Sequence, residues 1–228
     1  METLSLDAAL KWRYATKRMT GAVVPAPEVD RILAAIRPAP TSRGLQPFKV
    51  LVIEDPTLKQ AISPLAEQQP QVVESSHLLV FAAWSAVTRE QVDEYIQRTA
   101  QERGVPVERL SAVRNVLEHD QLTMDDETFH HWAAKQVYIA LGFALTTAAV
   151  HQIDAAALEG FNPAQLDELL HLRQRSLRSV VLLALGYRDV ENDWMLKLKK
   201  VRRPPEELFV YLPAGELSTP APARSEAT

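Results

Sequence analysis

The sequence predicts an α+β domain in which helices surround one central mixed β-sheet. Three short apolar segments, Phe48–Ile53, His77–Trp84 and residues 177–185, have the composition of buried strands. Longer segments with helical spacing of apolar residues lie between them. A few strands separated by many helices are typical of one sheet covered by helices, so we expect that architecture here.

Spacing and capping residues predict the helices in the first half of the chain. Residues 4–11 form a short amphipathic segment that Ser5 can cap. Apolar residues at positions 29, 32, 33 and 36 share one face of a second helix, which ends at Pro38. Residues 40–47 then form a loop, and Pro56 begins a third helix.

One long apolar segment dominates the second half. Residues 88–119 are charged and predict two exposed helices with a break at Gly104 and Pro106. Residues 129–150 are apolar almost all round, which predicts a central buried helix, and their uncharged part is too short for a membrane span. A short helix follows Pro163, residues 208–212 could add an edge strand, and residues 213–228 predict a disordered tail.

Composition narrows the possible chemistry. The chain has 228 residues, no Cys and a formal net charge of −4. The absence of Cys excludes a thiol nucleophile and an iron–sulfur cluster, so redox chemistry would need a bound cofactor. The acidic balance gives no reason to expect nucleic acid or a membrane as the main partner. The first residues lack the pattern of a signal peptide, so we expect a cytoplasmic protein.

Two groups of cations lie far apart in the sequence. Arg13 and Lys17 are four residues apart and would point in one direction on a helix or turn, and residues 199–203 carry four more cations. Such groups can converge on one phosphate, although each alone is typical of a solvated surface. The loops at 40–47 and 158–161 could bring backbone N–H groups to a ligand, but ordinary turns explain either one in isolation.

Two other kinds of site have weak support. His130 and His131 are adjacent rather than spaced as metal ligands on a helix, so we expect no metal site. The sequence contains no GxGxxG or Walker loop. Nicotinamide would therefore bind transiently on another cofactor.

Six segments together resemble the FMN-dependent nitroreductases, in particular the branch of oxygen-insensitive NAD(P)H nitroreductases and dihydropteridine reductases. They occur in the family's order and at similar spacing between about residues 3 and 212. The segments are Arg13-Tyr-Ala-Thr-Lys17, Ala39-Pro-Thr-Ser-Arg-Gly-Leu-Gln-Pro-Phe48, Ser76-His-Leu-Leu-Val-Phe81, Trp132-Ala-Ala-Lys-Gln-Val-Tyr138, Leu158-Glu-Gly-Phe161 and Lys200-Val-Arg-Arg-Pro204.

The resemblance implies an intertwined homodimer that binds FMN in two composite sites. Arg13, Lys200 and Arg202 would hold the FMN phosphate, and Lys17 would reach the ribityl chain and the N1/O2 edge of the flavin. The loop at 40–44 would contact the partner's flavin, the backbone at 159–160 would face N5, and Gln68 and Gln71 would contact the pyrimidine edge. The full set of implied cofactor-binding residues is Arg13, Tyr14, Ala15, Lys17, Pro40, Thr41, Ser42, Gly44, Gln68, Gln71, Glu159, Gly160, Lys200 and Arg202.

Several positions depart from the pattern of that branch. Ala15 stands where Ser is common, Arg43 and Gly44 stand where Thr and Asn are frequent, and Gln71 stands where Lys is frequent. Residues 86–128, which would form a variable helical cover over the substrate channel, match least. These departures bear on the acceptor range and on the preference between NADH and NADPH.

The resemblance also implies a function for residues 1–212 as one FMN-binding domain. Electron pairs would pass from NADH or NADPH to nitroaromatic or quinone-like acceptors by a ping-pong mechanism, with Lys17 assisting the flavin and no side-chain nucleophile. Two alternatives remain open: a flavin-binding or flavin-processing protein of the same fold without NAD(P)H turnover, and a non-enzymatic interaction protein that uses the basic segment near residue 200.

Overall fold

The computed structural model describes residues 3–212. The chain divides into a large unit, Met1–Lys197, and a second unit that begins at Leu198. The tail predicted for residues 213–228 lies outside the described residues.

The large unit is built on an antiparallel sheet. Its strands are β1 (Phe48–Ile53), β2 (His77–Trp84), β3 (Asp154–Leu158) and β4 (Leu177–Gly186), in the spatial order β1-β2-β4-β3. The predicted α+β class is confirmed. The predicted mixed sheet is wrong for the described residues, because every neighbouring pair among these four strands is antiparallel.

Strand β3 is absent from the strands that the sequence predicts. Three of its five residues are Ala, and Ala has little preference for strands, so no local signal marks the segment. Pairing with β4 along all five residues supplies the stability that composition does not. Ala155 and Ala156 are both buried, which is consistent with helices covering the two faces of the sheet.

Helices cover both faces, and the predicted ones are confirmed with shifts of one to three residues at their ends. The helices of the large unit are α1 (Leu6–Trp12), α2 (Ala26–Ile36), α3 (Pro56–Ile62), α4 (Pro70–Glu74), α5 (Arg89–Arg103), α6 (Ser111–Gln121), α7 (Asp126–Val150) and α8 (Pro163–Leu169). Helix α9 (Pro205–Leu208) belongs to the second unit. Helices α2 and α7 pack on one face around Phe81 and Phe129, and α3, α4 and α8 pack on the other around Leu78 and Leu166.

Helix α7 is the central helix that the sequence predicts. By length and composition alone it could cross a membrane. Its buried residues, which include Phe129, Val137 and Leu141, instead pack against the sheet and α2. We therefore interpret α7 as the core helix of the large unit.

The second unit differs from expectation. Residues 205–208 form the short helix α9, and residues 209–212 lie in no strand. The predicted edge strand at 208–212 is therefore wrong for the described chain.

Candidate functional site

The segment after α1 is extended rather than helical. Ser5 caps α1, accepting from the N–H of Ala8 at 3.3 Å, and the helix ends at Trp12. Arg13 has extended backbone angles, and Met19 forms an antiparallel bridge with Arg188. Residues 13–18 lie in neither a helix nor a turn, so the condition under which Arg13 and Lys17 would point in one direction is not met, and tertiary contacts orient this segment.

A buried ion pair holds the start of this segment. Asp154, the first residue of β3, accepts from the Arg188 Nε and backbone N–H, each at 2.8 Å, and from the Thr16 hydroxyl at 3.2 Å. The Arg188 guanidinium lies over the rings of Trp12 and Tyr14, 4.1 and 4.7 Å from their centroids. Charge-assisted hydrogen bonds and cation–π contacts thus fix residues 12–16 against the end of the sheet.

A second buried carboxylate fixes the rest of the segment. Asp193 is 1% exposed, and its Oδ2 accepts from the Tyr14 hydroxyl at 2.8 Å and from the Lys17 N–H at 2.9 Å. Its Oδ1 accepts from the Met195 N–H at 3.0 Å. Burial, together with this hydrogen bond to a carboxylate, raises the pKa of Tyr14 well above its usual value. Tyr14 therefore remains a protonated donor, and the backbone of Lys17 is held in place.

The loop at residues 40–44 is docked onto α7. Ser42 begins a 3-10 turn that ends at Gly44, and its N–H donates to Oε1 of buried Gln136 at 2.8 Å. Gly44 has φ +70°, a conformation that glycine adopts without strain. Thr41 is buried, and its Oγ1 has no hydrogen-bond partner within the described chain.

The predicted helical cover lies against this loop. The Tyr95 hydroxyl on α5 donates to the Arg43 carbonyl at 2.6 Å, and the Arg43 guanidinium forms an ion pair with Asp120 on α6. A cleft of about 470 Å³ lies between the loop and the end of α6. Its lining residues are Ser42, Arg43, His119, Asp120, Gln121, Thr123, Met124 and Trp132. Arg43, a departure from the family pattern, thus connects the loop to the cover.

The turn after β3 meets the loop before α4. The Gln69 Nε2 donates to the Gly160 carbonyl at 2.9 Å. The ends of the Glu67 and Gln69 side chains approach Gly160 closely, so that a Cβ there would lie 3.0 Å from Oε2 of Glu67. The Gly160 N–H has no acceptor within residues 3–212. Tyr138 donates to Glu159, and burial together with that bond raises the pKa of Tyr138 to about 12.

The two predicted glutamines differ in accessibility. Gln68 is exposed and has φ 52°, whereas Gln71 on α4 is 2% exposed. Gln69, which the sequence analysis did not single out, is the glutamine that contacts the Gly160 turn. Only tertiary contact distinguishes it from its neighbours.

The second cation group belongs to the second unit. Lys200 and Arg202 are both exposed, and the Arg202 Nη1 donates to the Val201 carbonyl at 2.7 Å. Their expected convergence with Arg13 stays a prediction.

Comparison with known proteins identifies the family. The Nitroreductase family model matches residues 10–187. The chain belongs to the nitroreductase family. It is 29% identical over 187 residues to the major NAD(P)H-flavin oxidoreductase of Aliivibrio fischeri, covering 79% of this chain and 86% of the relative. It is 31% identical over 180 residues to an NADH dehydrogenase of Thermus thermophilus, covering 79% and 84%.

Solved structures support the nitroreductase-like fold. A protein from Exiguobacterium sibiricum, assigned as a nitroreductase and crystallised in complex with FMN, superposes with a TM-score of 0.79. The identity is 20%, and the match covers 93% of this chain and 99% of that one. The predicted nitroreductase-like fold is therefore confirmed.

The large unit of this nitroreductase-family chain contains groups suited to a flavin nucleotide. The Gly160 N–H and the Thr41 hydroxyl lack protein partners within the described chain. Both belong to positions that the family resemblance assigns to FMN. Lys17 adds a cation on a fixed backbone, which suits an anionic, oxygen-rich ligand. The donor set therefore fits FMN.

The anchoring role of Asp193 can be tested by substitution. Asp193→Ala removes the acceptor of three donors, two of them backbone N–H groups, and leaves them unsatisfied in a buried region. We expect the free energy of unfolding to fall by about 2 to 4 kcal/mol in chemical denaturation. Glu191→Gln, at an exposed position in the same loop, should change it by less than about 0.5 kcal/mol. Equal effects of the two substitutions would contradict the anchoring role.

Proposed function

We propose that this protein is an FMN-dependent oxidoreductase that passes electron pairs from NAD(P)H to nitroaromatic or quinone-like acceptors by a ping-pong mechanism. One observation carries the proposal: buried Asp193 holds Tyr14 and Lys17, the segment that the family resemblance assigns to the flavin. The names of the relatives, an NAD(P)H-flavin oxidoreductase and an NADH dehydrogenase, support the same class of reaction.

Most of the proposed FMN contacts come from three segments of the large unit. Lys17 would lie at the N1/O2 edge of the flavin, the Gly160 N–H would face N5, and residues 40–44 would contact the flavin of the partner subunit. Arg13 would hold the phosphate with Lys200 and Arg202. The remaining proposed contacts are Tyr14, Ala15, Gln68, Gln71 and Glu159.

The protein's own contribution to catalysis is electrostatic. FMN, when bound, would supply the hydride chemistry. The Lys17 ammonium would stabilise the negative charge that reduction adds near N1/O2, and Asp193 fixes the backbone from which that ammonium extends. The Gly160 N–H would donate a hydrogen bond without needing a side chain to be ordered. No side-chain nucleophile is required.

We also propose a homodimer. Helices α1 and α7 present large apolar side chains to solvent, with exposed fractions of 55% for Leu6, 49% for Leu10 and 39% for Phe143. Tyr138 and Ile139 extend the same exposed face of α7. Exposed apolar side chains grouped in this way are typical of an interface between subunits. A dimer would bring the residue 40–44 loop of one subunit to the flavin of the other.

We assign residues 1–212 to one FMN-binding domain, with residues 86–128 as the cover over the substrate channel. The assignment of α5 and α6 to the cover is supported by the contacts of Tyr95 and Asp120 with the loop at Arg43. We propose a cytoplasmic location, which agrees with the packing of α7 in the core.

The identity of the cofactor tests the proposal directly. The purified protein, supplemented with FMN or with FAD, should retain one FMN per subunit and release FMN on denaturation. Anaerobic NADH or NADPH should bleach the flavin absorption, and an added quinone should restore it. Retention of FAD alone would contradict the assignment, and FMN that nicotinamide does not bleach would favour a flavin-binding protein without turnover.

The role of Lys17 can be separated from simple flavin binding. Lys17→Met keeps the length of the side chain but removes its charge. Because the ammonium would act mainly on the anionic reduced flavin, we expect the variant still to bind oxidised FMN. The two-electron potential of its bound FMN should be about 30 to 60 mV more negative than that of the parent. Lys11→Met, at an exposed position on α1, is the control. An unchanged potential at full FMN occupancy would remove Lys17 from the site.

The proposed interface can be tested with a charge. Phe143→Glu would place a carboxylate in an apolar contact, and desolvation of that charge should dissociate the dimer. Light scattering should give a dimer for the parent and a monomer for the variant. Val113→Glu changes an apolar residue of similar exposure, 36%, on α6 and should leave the dimer intact. A dimer that tolerates Phe143→Glu would require another interface.

A further inference from the structure

A second cleft lies between α5, strand β1 and the end of the loop that follows α2. Its volume is about 420 Å³, within the range of small-molecule sites. It is lined by Ile36, Arg37, Leu45, Gln46, Phe48, Lys49, Trp84, Gln91, Glu94, Tyr95 and Arg98. None of these residues belongs to the proposed FMN site, so the cleft needs a separate explanation.

One part of this cleft is aromatic. Phe48 on β1, Trp84 at the end of β2 and Tyr95 on α5 are each half-buried and all line it. The Tyr95 hydroxyl is already engaged by the Arg43 carbonyl, so its ring rather than its hydroxyl is available to a ligand. Aromatic rings offer large flat surfaces against which a planar ligand can stack.

The charged residues of the cleft are unbalanced. Three cations, Arg37, Lys49 and Arg98, line it together with a single carboxylate, Glu94, which leaves a net formal charge of +2. Within the described chain none of the three cations forms an ion pair. Arg37 follows the end of α2, Lys49 lies on β1 and Arg98 lies on α5, so only the fold brings them to one cleft.

Nearby arginines behave differently. Arg43 pairs with Asp120, Arg114 pairs with Asp93, and Arg89 lies 3.8 Å from Glu118. Within the cover, Arg89 and Arg114 are thus near acids of the cover itself, whereas Arg98 has no such pair among the described residues. The three unneutralised cations of the cleft have the charge to complement an anion that is not part of the described chain.

We propose that this cleft binds a small planar aromatic carboxylate. The rings of the ligand would stack among Phe48, Trp84 and Tyr95, and its carboxylate would meet Arg37, Lys49 and Arg98. An Arg guanidinium can donate two parallel hydrogen bonds to one carboxylate, which makes a carboxylate a better fit than a neutral ligand. The cleft shares no residue with the proposed FMN contacts, and Arg37 and Lys49 also lie outside the cover.

Isothermal titration calorimetry of the FMN-supplemented protein with 2-naphthoate tests the proposal, with 2-naphthamide as the uncharged control. We expect naphthoate to bind and the amide to bind at least about fivefold more weakly. Arg37→Gln and Arg98→Gln should each weaken naphthoate binding about fivefold. Arg103→Gln, on the same helix α5 but outside the cleft, should have no effect.

The same variants distinguish this cleft from the flavin site. Arg37→Gln, which lies outside the cover, should keep the parent's NADH-dependent activity, so the inference and the proposed function can fail separately. Undetectable naphthoate binding or equal binding of the amide would overturn the inference. It would also be overturned if both variants kept the parent's affinity while naphthoate competed with NADH, because the ligand would then occupy the flavin site.

Discussion

The buried pair between Asp154 and Arg188 is the interaction on which the candidate site depends. It joins the first residue of β3 to the segment after β4 and to Thr16 through one carboxylate. Breaking a buried pair by removing one partner costs about 3 to 5 kcal/mol, because the other charge stays behind without compensation. Here the Arg188 guanidinium also supports the rings of Trp12 and Tyr14, so its position determines where the chain after α1 runs.

Other parts of the site use the same principle of one buried polar group that holds a loop. Asp193 holds the backbone at Lys17, and Gln136 holds the backbone at Ser42. In each case the side chain is buried and a backbone N–H is its donor. Irregular segments thereby become fixed without belonging to a helix or strand, which leaves their remaining groups available for a ligand.

Local patterns account for what the sequence analysis predicted. Helices α2 and α7 and strands β1, β2 and β4 have strong periodicity or apolar composition, and these signals need no tertiary information. Strand β3 has no such signal, because alanine is favourable there only once β4 lies beside it. The antiparallel direction of the strands could not be predicted from local sequence either, since pairing joins segments that are distant in the chain.

The candidate site likewise contains residues that the sequence predicts and residues that only the structure reveals. Lys17, the loop at 40–44 and Gly160 are predicted from the resemblance to a family. The carboxylates that fix residues 14–17 are not, because Asp154, which contacts Thr16, and Asp193, which contacts Tyr14 and Lys17, lie more than a hundred residues away in the sequence. Gln69 was missed among neighbouring glutamines because only the contact with Gly160 distinguishes it.

The length of strand β3 sets a distance within the candidate site. Asp154 anchors Thr16 at its first residue, and the Gly160 turn follows its last, so its length of about 13 Å sets the spacing between these two elements. Deletion of one residue from β3 would shorten that spacing by about 3.3 Å. It would also move the side chains beyond the deletion to the opposite face of the sheet. The strand with the weakest signal in the sequence therefore has a length that its two ends constrain.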